Sequence, residues 1–223
     1  MIMKYKKFGF NIPVNGVQTL VIENSKSYRE FILNLLSQIN GKEGELKFYE
    51  NIEEKNMKNK IIFAGTPFFL DINSRRIIDS LYKNMEEVIL SERFDEYKEL
   101  EIQIYNFLSS LLVNEHIDVE LDEEIDVKKL FQSANIRISD LNESDDLLES
   151  ISQYVSVIKK YTNIEIIFFT NVRSMFEHEE WQMLVNDIKK LDICMLNIET
   201  YSSFIEVPGE KLYIIDEDLC EIF

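Results

Sequence analysis

Glycine and proline are almost absent from the middle of this 223-residue chain. None of the six glycines lies between Thr66 and Pro208, and the only proline within that stretch is Pro67. These two residues mark turns, so a segment that lacks them favours long helices. The middle of the chain is therefore predicted to be helical, and its flanks must supply any sheet.

The segment 74–113 carries two successive series of apolar residues at helical spacing. The first series runs over 78–89 and the second over 97–111. Together they predict one very long helix or two in succession, with a break near Arg93. A further helix is predicted over 145–161, and these helices are expected to pack as a separate layer.

The N-terminal part is predicted to be rich in strands. Asn15-Gly16 separates an apolar stretch at 8–14 from one at 17–22, which predicts a β-hairpin. Ser27 and Glu30 have the spacing of a capping box and predict a helix start. Further strands are predicted over 45–49 and 60–64.

The C-terminal part returns to alternating strands and helices. The predicted strands are 164–169, 193–198 and 212–215. Ser174 and Glu177 have capping-box spacing and predict a helix that ends at Lys190. Near-continuous apolar strands separated by helices imply a parallel sheet and an α/β fold. The predicted organisation is a discontinuous α/β domain of residues 1–72 and 162–223, with a helical insertion over 73–161.

The turn between the strand 17–22 and the next helix invites comparison with a nucleotide-binding P-loop, because Lys26-Ser27 matches the end of that motif. A P-loop needs glycines and loop length to wrap backbone N–H groups around phosphates. Leu20 and Ser25 stand at the two glycine positions, and the apolar strand leaves room only for a tight turn. The motif therefore lacks most of its mechanism, and ATP hydrolysis is not expected.

Other catalytic signals in the sequence are weak. The strand 164–169 is followed by Thr170 and Asn171 rather than by an acid that could hold Mg²⁺. His116 and His178 are far apart in sequence, and His178 lacks the second histidine of a zinc-protease helix. Both histidines are interpreted as ordinary surface or interface residues.

The net charge and the cysteine content indicate which partners and which cellular compartment to expect. The formal net charge of −17 argues against nucleic acid when taken alone, although the 24 basic residues could still form a local basic surface. The apolar runs are too short to span a membrane, and the N-terminus lacks the pattern of a signal peptide. Cys194 and Cys220 lie in apolar stretches and are predicted to be reduced core thiols, so a cytoplasmic location is expected.

An acidic cluster occupies residues 115–126, where seven carboxylates fall within twelve residues. On an extended strand, Asp118, Glu120 and Asp122 would share one face. Glu115, Glu123, Glu124 and Asp126 flank them. Oxygen ligands at this density suit Ca²⁺, but the spacing is not that of an EF-hand. Spacing alone favours a solvated acidic edge that opposes aggregation.

Basic residues come in small groups along the chain. Lysines at 159–160 and 189–190 lie at predicted helix C-termini, where the helix dipole favours cations. By contrast, Lys26, Arg29, Lys128 and Lys129 lie near predicted helix N-termini. Because the dipole disfavours cations there, these four are better candidates for contacting an anion.

An ordered set of short motifs resembles the short form of the ring-forming, DNA-end-binding accessory protein of type II-A CRISPR loci, in the Csn family. The motifs are Phe10-Asn11-Ile12-Pro13-Val14 leading into Leu20-Val21-Ile22-Glu23, then Glu45-Leu46-Lys47-Phe48, Asp71-Ile72-Asn73-Ser74, Asp118-Val119-Glu120-Leu121-Asp122-Glu123 and Tyr213-Ile214-Ile215-Asp216-Glu217-Asp218. No single motif is specific, but their order and the chain length agree with the family.

The resemblance implies a degenerate P-loop-NTPase-like head with a mostly parallel sheet and an inserted α-helical leg. It further implies a homotetrameric ring whose basic lumen encircles double-stranded DNA at free ends, held in shape by Ca²⁺. Such a ring serves spacer acquisition in antiviral defence, alongside the spacer-integrase complex and the RNA-guided effector nuclease. No catalytic activity is implied.

The resemblance also changes the interpretation of the acidic cluster, which lies where the family places calcium ligands. The favoured ligands become Asp118, Glu120, Asp122 and Glu123, with Glu115 and Asp126 as weaker additions. Lys26, Arg29, Lys128 and Lys129 are the hypothesised DNA contacts. The alternatives are a metal-dependent nuclease or degenerate NTPase that uses the 118–126 acids, and a purely protein-binding scaffold.

Overall fold

The computed structural model describes residues 1–112, 120–122, 124–139, 146–201 and 205–222. The chain divides into two compact units. The first comprises Met1–Ile72 and Leu141–Phe223, and the second comprises Asn73–Asp140.

Ten strands and six helices lie in the described residues. The strands are β1 Ile2–Tyr5, β2 Asn11–Pro13, β3 Val17–Ile22, β4 Leu46–Glu50, β5 Glu53–Glu54, β6 Ile61–Gly65, β7 Ile166–Thr170, β8 Cys194–Glu199, β9 Glu210–Ile215 and β10 Glu221–Ile222. The helices are α1 Ser25–Ile39, α2 Arg75–Glu92, α3 Phe94–Leu112, α4 Val127–Ser133, α5 Leu147–Tyr161 and α6 His178–Lys190. No helix within these ranges is long and apolar enough to cross a membrane.

A six-stranded sheet forms the centre of the first unit. Its order is β10-β9-β3-β8-β7-β6, and all neighbours are parallel except the β10–β9 pair. Every residue of β3 and β8 is buried, as expected for central strands that are covered on both faces. The α/β class and the mostly parallel sheet predicted from the sequence are therefore confirmed.

A second, four-stranded antiparallel sheet has the order β2-β1-β4-β5. Its inner face packs with α1 against one face of the large sheet to form a single core. That core contains Met3, Ile12 and Phe48 from the small sheet, Phe31 and Leu35 from α1, and Leu20, Phe168 and Leu196 from the large sheet. On the other face, α5 contributes Tyr154, whose ring meets that of Phe169 edge-on at 6.3 Å.

The hairpin predicted at Asn15-Gly16 is wrong. The strands on either side of it, β2 and β3, belong to different sheets. Gly16 adopts a φ of 57°, and its carbonyl accepts a hydrogen bond of 2.9 Å from the Met195 amide of β8. The turn therefore carries the chain from one sheet to the other, where β3 is buried on both faces between the parallel strands β8 and β9.

Two predicted helix starts also need correction. The N-cap of α1 is Asn24, whose side chain accepts from the Ser27 amide at 3.1 Å, so Ser27 is not the cap. The N-cap of α6 is Glu177, which forms a capping box with Glu180. Ser174 lies instead in a preceding 3₁₀ turn, where its hydroxyl donates to the Asn171 carbonyl.

The second unit contains α2, α3 and α4. The two long helices are separate, as the apolar pattern allowed: α2 ends at Glu92, Arg93 leaves helical geometry with φ −132° and ψ 27°, and α3 begins at Phe94. In contrast, α5 groups with the first unit, although the sequence analysis placed it in the helical insertion. The assignment of a head and a leg domain stays a prediction.

The two cysteines differ in their environment. Both are free thiols, but Cys194 is buried and Cys220 is exposed, so the prediction of two core thiols is wrong for Cys220. Burial raises the pKa of the Cys194 thiol to about 12. Cys220 lies just before the edge strand β10, where a short apolar stretch is not enough to bury it.

Candidate functional site

The carboxyl edge of the large sheet is where ligands bind in many parallel α/β folds. Only Glu23 and Asn24 separate β3 from α1, which confirms the predicted tight turn. The Asn24 side chain accepts from the Ser27 amide and donates to the Glu217 carbonyl at 3.1 Å. One of the helix N-terminal amides that a phosphate would need is therefore already occupied by the protein itself.

An acid does stand at the end of a strand beside β3, although the sequence analysis did not find it. The neighbours of β3 are β8 and β9, not β7, and β8 ends in Glu199. Glu199 is only 2% exposed, and its Oε1 accepts from the Arg173 amide at 2.8 Å and from Asn197 Nδ2 at 2.6 Å. Burial raises the pKa of this carboxyl. Its contacts fix the turn after β7, which is a structural role.

The acidic cluster is only partly within the described residues. Glu115, Asp118 and Glu123 lie outside them, so their assignment as calcium ligands stays a prediction. Glu120 and Asp122 are exposed and Leu121 between them is partly buried, and none of the three is in a strand. The expected strand is therefore not found at residues 120–122.

The described acids line one cleft of the second unit, with a volume of about 500 Å³. Its acidic lining comprises Glu120, Asp122, Glu124 and Asp126, and its apolar lining comprises Ile104, Leu108, Leu121, Ile125 and Leu130. Within the ranges that the structure describes, no three His, Cys, Asp or Glu side chains converge as a metal site. The cleft gathers four of the carboxylates without placing them as ligands of one ion.

A buried glutamate anchors this acidic segment to α3. Glu101 is 6% exposed, and its carboxylate accepts from Lys98 Nζ at 2.6 Å, from the Tyr97 hydroxyl at 2.8 Å and from the Ile125 amide at 3.2 Å. The Lys98 hydrogen bond is the largest cause of a lowered Glu101 pKa, whereas burial raises the pKa of Tyr97. Sequence reasoning missed Glu101, because only its carboxylate–amide contact to Ile125 reveals its role.

Asp126 has a structural role in addition to its predicted one. It is the N-cap of α4 and accepts from the Lys129 amide at 3.1 Å. The Lys129 ammonium lies 3.8 Å from the same carboxylate and is largely exposed. An aspartate that caps a helix is explained by the helix alone, so it is the weakest of the described candidate ligands.

The four predicted DNA contacts are divided between the units. Lys128 forms an ion pair of 2.8 Å with Asp79 of α2, and the hydrogen bond from Lys128 lowers the pKa of the Asp79 carboxyl. Lys26 and Arg29 are exposed on α1, one turn apart. Neither forms an ion pair with a carboxylate of the described residues. Both charges are therefore available to a partner, as are those of other exposed lysines of the first unit such as Lys58 and Lys189.

A family comparison now defines the class of the protein. The model of the family Cas_Csn2, described as CRISPR-associated protein, matches residues 38–219. This match spans most of the chain and both of its compact units, so the chain belongs to the Cas_Csn2 family of CRISPR-associated proteins. The family resemblance inferred from the sequence is confirmed, and with it a role in CRISPR antiviral defence. A comparison with curated protein sequences finds no significant match.

Proposed function

We propose that the protein is a non-catalytic clamp for double-stranded DNA ends that supports spacer acquisition, together with the spacer-integrase complex and the RNA-guided effector nuclease. The family match over residues 38–219 carries this proposal. The carboxyl edge of the large sheet supports the proposal that the protein is not a catalyst. Asn24 caps α1 from within, and the Glu199 carboxylate at the end of β8 already accepts hydrogen bonds from Arg173 and Asn197, which does not favour the phosphate and Mg²⁺ contacts of a P-loop enzyme.

Binding of the DNA backbone accounts for the exposed cations. Lys26 and Arg29 lie at i and i+3 on α1 and can meet phosphates together. Contacts to phosphate carry no sequence information, so binding is independent of sequence and strongly dependent on salt. The net charge of −17 does not prevent DNA binding. Salt screens distant charges, so a bound phosphate interacts mainly with the basic residues close to it.

A homotetrameric ring would explain why α3 exposes many apolar side chains. Only Glu101 of its 19 residues is buried within the chain. The exposed large apolar residues of this helix are Phe94, Leu100, Ile102, Tyr105, Phe107, Leu108 and Leu111. No charged residue occurs over 102–112. Because two copies of so acidic a chain repel each other, an uncharged apolar helix face is the surface through which they can associate.

Bound calcium would explain why several carboxylates line one cleft. Glu120, Asp122 and Glu124 share the cleft, and the predicted ligands Asp118 and Glu123 lie in the same stretch of sequence. Carboxylates at this density repel one another, and a cation with several oxygen ligands relieves that repulsion. Bound Ca²⁺ would thus hold the segment that Glu101 anchors to α3.

The test of the proposed function compares one plasmid in two forms, covalently closed and cut once. A closed ring must thread onto DNA, so we expect the cut form to bind at least about tenfold more tightly at low salt, with affinity falling steeply as salt rises. Incubation with Mg²⁺ and ATP should yield neither cleaved DNA nor released phosphate. Equal affinity for the two forms would refute threading, and turnover would favour the nuclease or NTPase alternative.

Removal of calcium is expected to lower the melting temperature or dissociate the ring, because the acidic segment loses the charge that balances it. The measurements are mass in solution and thermal unfolding with a calcium chelator in a buffer that keeps Mg²⁺. Asp118→Ala combined with Glu120→Ala should mimic the chelator, and Glu43→Ala combined with Glu92→Ala is the matched control. If chelation leaves mass, melting temperature and DNA binding unchanged, the calcium assignment is wrong.

A further inference from the structure

Residues 136–138 are hydrogen-bonded to Tyr82 of α2 and to Asn73, which precedes α2, in the second unit. The Tyr82 hydroxyl donates to the Ile136 carbonyl at 2.9 Å. The Asn73 side chain donates to the Ile138 carbonyl at 3.0 Å and accepts from the Ile138 amide at 2.9 Å. Three side chain–backbone hydrogen bonds thus hold a segment that has no regular secondary structure of its own.

Arg137 stands at the middle of this segment and faces outward. Ile136 and Ile138 on either side are partly buried, whereas Arg137 is exposed. No ion pair joins its guanidinium to a carboxylate of the described residues. In a chain with 41 acidic and 24 basic residues, an exposed arginine on a hydrogen-bonded backbone that has no ion-pair partner within the described ranges is a charge available to another molecule.

Two further cations, Arg75 of α2 and Lys128 of α4, both lie close to Asp79 of α2. Arg75, Asp79 and Tyr82 are spaced i, i+4 and i+7, so they share one face of the helix. Asp79 is the one carboxylate that this stripe contributes, and it is shared: Lys128 Nζ lies 2.8 Å from Oδ1 and Arg75 Nε lies 3.7 Å from Oδ2. The Arg75 side chain is 96% exposed. Within the described residues, Arg75, Lys128 and Arg137 outnumber the one carboxylate of this stripe, which favours a locally positive surface on an acidic protein.

We infer that Arg137 contacts DNA phosphate, as part of a basic surface formed with Arg75 and Lys128. The inference rests on the proposed function and extends it from Lys128, already a hypothesised DNA contact, to Arg137 and Arg75, which neither the sequence motifs nor the family match singles out. A guanidinium fork can bind phosphate oxygens in a bidentate manner, which a lysine cannot. The hydrogen-bonded backbone keeps Arg137 in place before binding, so less conformational freedom is given up when phosphate is met.

The dimensions of this surface suit a duplex better than a small anion. The stripe from Arg75 to Tyr82 extends about 10 Å along α2, which corresponds to about three steps of 3.4 Å along one DNA strand. Cations spread over that length meet successive phosphates, whereas a single phosphate would be met by one of them. A duplex is therefore the occupant that uses the whole surface.

The test measures the affinity of the intact protein for a linear DNA duplex over a series of salt concentrations. Arg137→Gln is expected to weaken binding about three- to tenfold at 0.15 M salt and to reduce the slope of log Kd against log salt by about one. Arg137→Lys should recover most of the slope and part of the affinity. Lys189→Gln removes the same charge from α6 and should change neither quantity.

The outcomes separate this inference from the function on which it rests. If the wild-type protein binds linear DNA and Arg137→Gln binds it with unchanged affinity and slope, the inference is overturned while the function stands. A wild-type protein that binds no DNA end overturns both. If Arg137→Gln weakens only the binding of single-stranded RNA, the assignment to duplex DNA is wrong. Should Arg137→Gln also lower the mass or melting temperature, recovery of affinity in Arg137→Lys supports the contact, and failure to recover overturns it.

Discussion

Replacing both Lys26 and Arg29 with glutamate is expected to abolish binding of linear DNA at physiological salt, with affinity reduced about a hundredfold or more. Each subunit loses two exposed cations that have no ion-pair partner in the described residues and acquires two carboxylates facing phosphate. The slope of log Kd against log salt should also fall, by about one for each phosphate that the variant no longer binds. Fluorescence anisotropy of a labelled duplex over a salt series measures both quantities.

Impaired folding would not account for this effect, because the substitution of Lys26 suits the helix. Lys26 is the second residue of α1, where the helix dipole disfavours a cation and favours a carboxylate by about 0.3–1 kcal/mol. Melting temperature and mass in solution should therefore match those of the wild type. Lys58→Glu combined with Lys189→Glu changes the net charge equally on other exposed surfaces of the first unit and should keep most of the affinity. Full binding by the Lys26/Arg29 variant would remove α1 from the DNA interface.

The parallel sheet could be predicted from the sequence, because its central strands are apolar on both faces. Buried runs such as β7 and β8 have no other stable environment than a covered sheet, and the apolar spacing in α2 and α3 needs helices. The small antiparallel sheet could not be predicted in the same way. Its strand β1 pairs with β4, so the contact joins Met3 to Phe48, and no local pattern encodes a partner so far along the chain.

Local turn motifs gave wrong predictions where tertiary packing determines the path of the chain. Asn15-Gly16 has the residues of a hairpin turn, but the burial of β3 between β8 and β9 required a different path. The start of α1 shows the same competition on a smaller scale. Asn24 and Ser27 are both good caps, and Asn24 prevails because β3 ends at Ile22 and leaves no residues for a longer turn.

The residues of the candidate site also differ in whether the sequence alone could predict them. Charged residues that face solvent, such as Lys26, Arg29 and the acids of 120–126, could be found from spacing and type alone. Glu199 and Glu101 could not, because their roles depend on which strand lies beside β3 and on which backbone amide meets the carboxylate. Arg137 was missed for the same reason: its significance comes from the hydrogen bonds that Asn73 and Tyr82 make to its neighbours.

Placing a carboxylate at Phe107 of α3 is expected to dissociate the proposed ring into smaller species. Leu100, Phe107 and Leu111 form an exposed apolar stripe with the 4-3-4 spacing that Ile104 completes, which is the spacing of a helix–helix seam. Phe107 is 64% exposed within the chain, so Phe107→Glu removes little packing from the monomer, and glutamate favours the helix more than phenylalanine does. Between subunits, however, it buries unpaired charges in an apolar contact, which costs several kcal/mol at each interface.

Light scattering coupled to size exclusion gives the mass that decides this prediction. Asn106→Glu is the matched control, because it adds the same charge at the neighbouring position of α3 but off the apolar stripe, and it should leave the mass unchanged. If the ring is what encircles DNA, the dissociated Phe107→Glu variant should also lose its preference for cut over closed plasmid, although Lys26 and Arg29 remain to bind either form weakly. A Phe107→Glu protein of wild-type mass would show that subunits associate through another surface. The apolar face of α3 would then be a candidate contact for a different member of the CRISPR system, since a large exposed apolar patch is typical of a protein–protein interaction site.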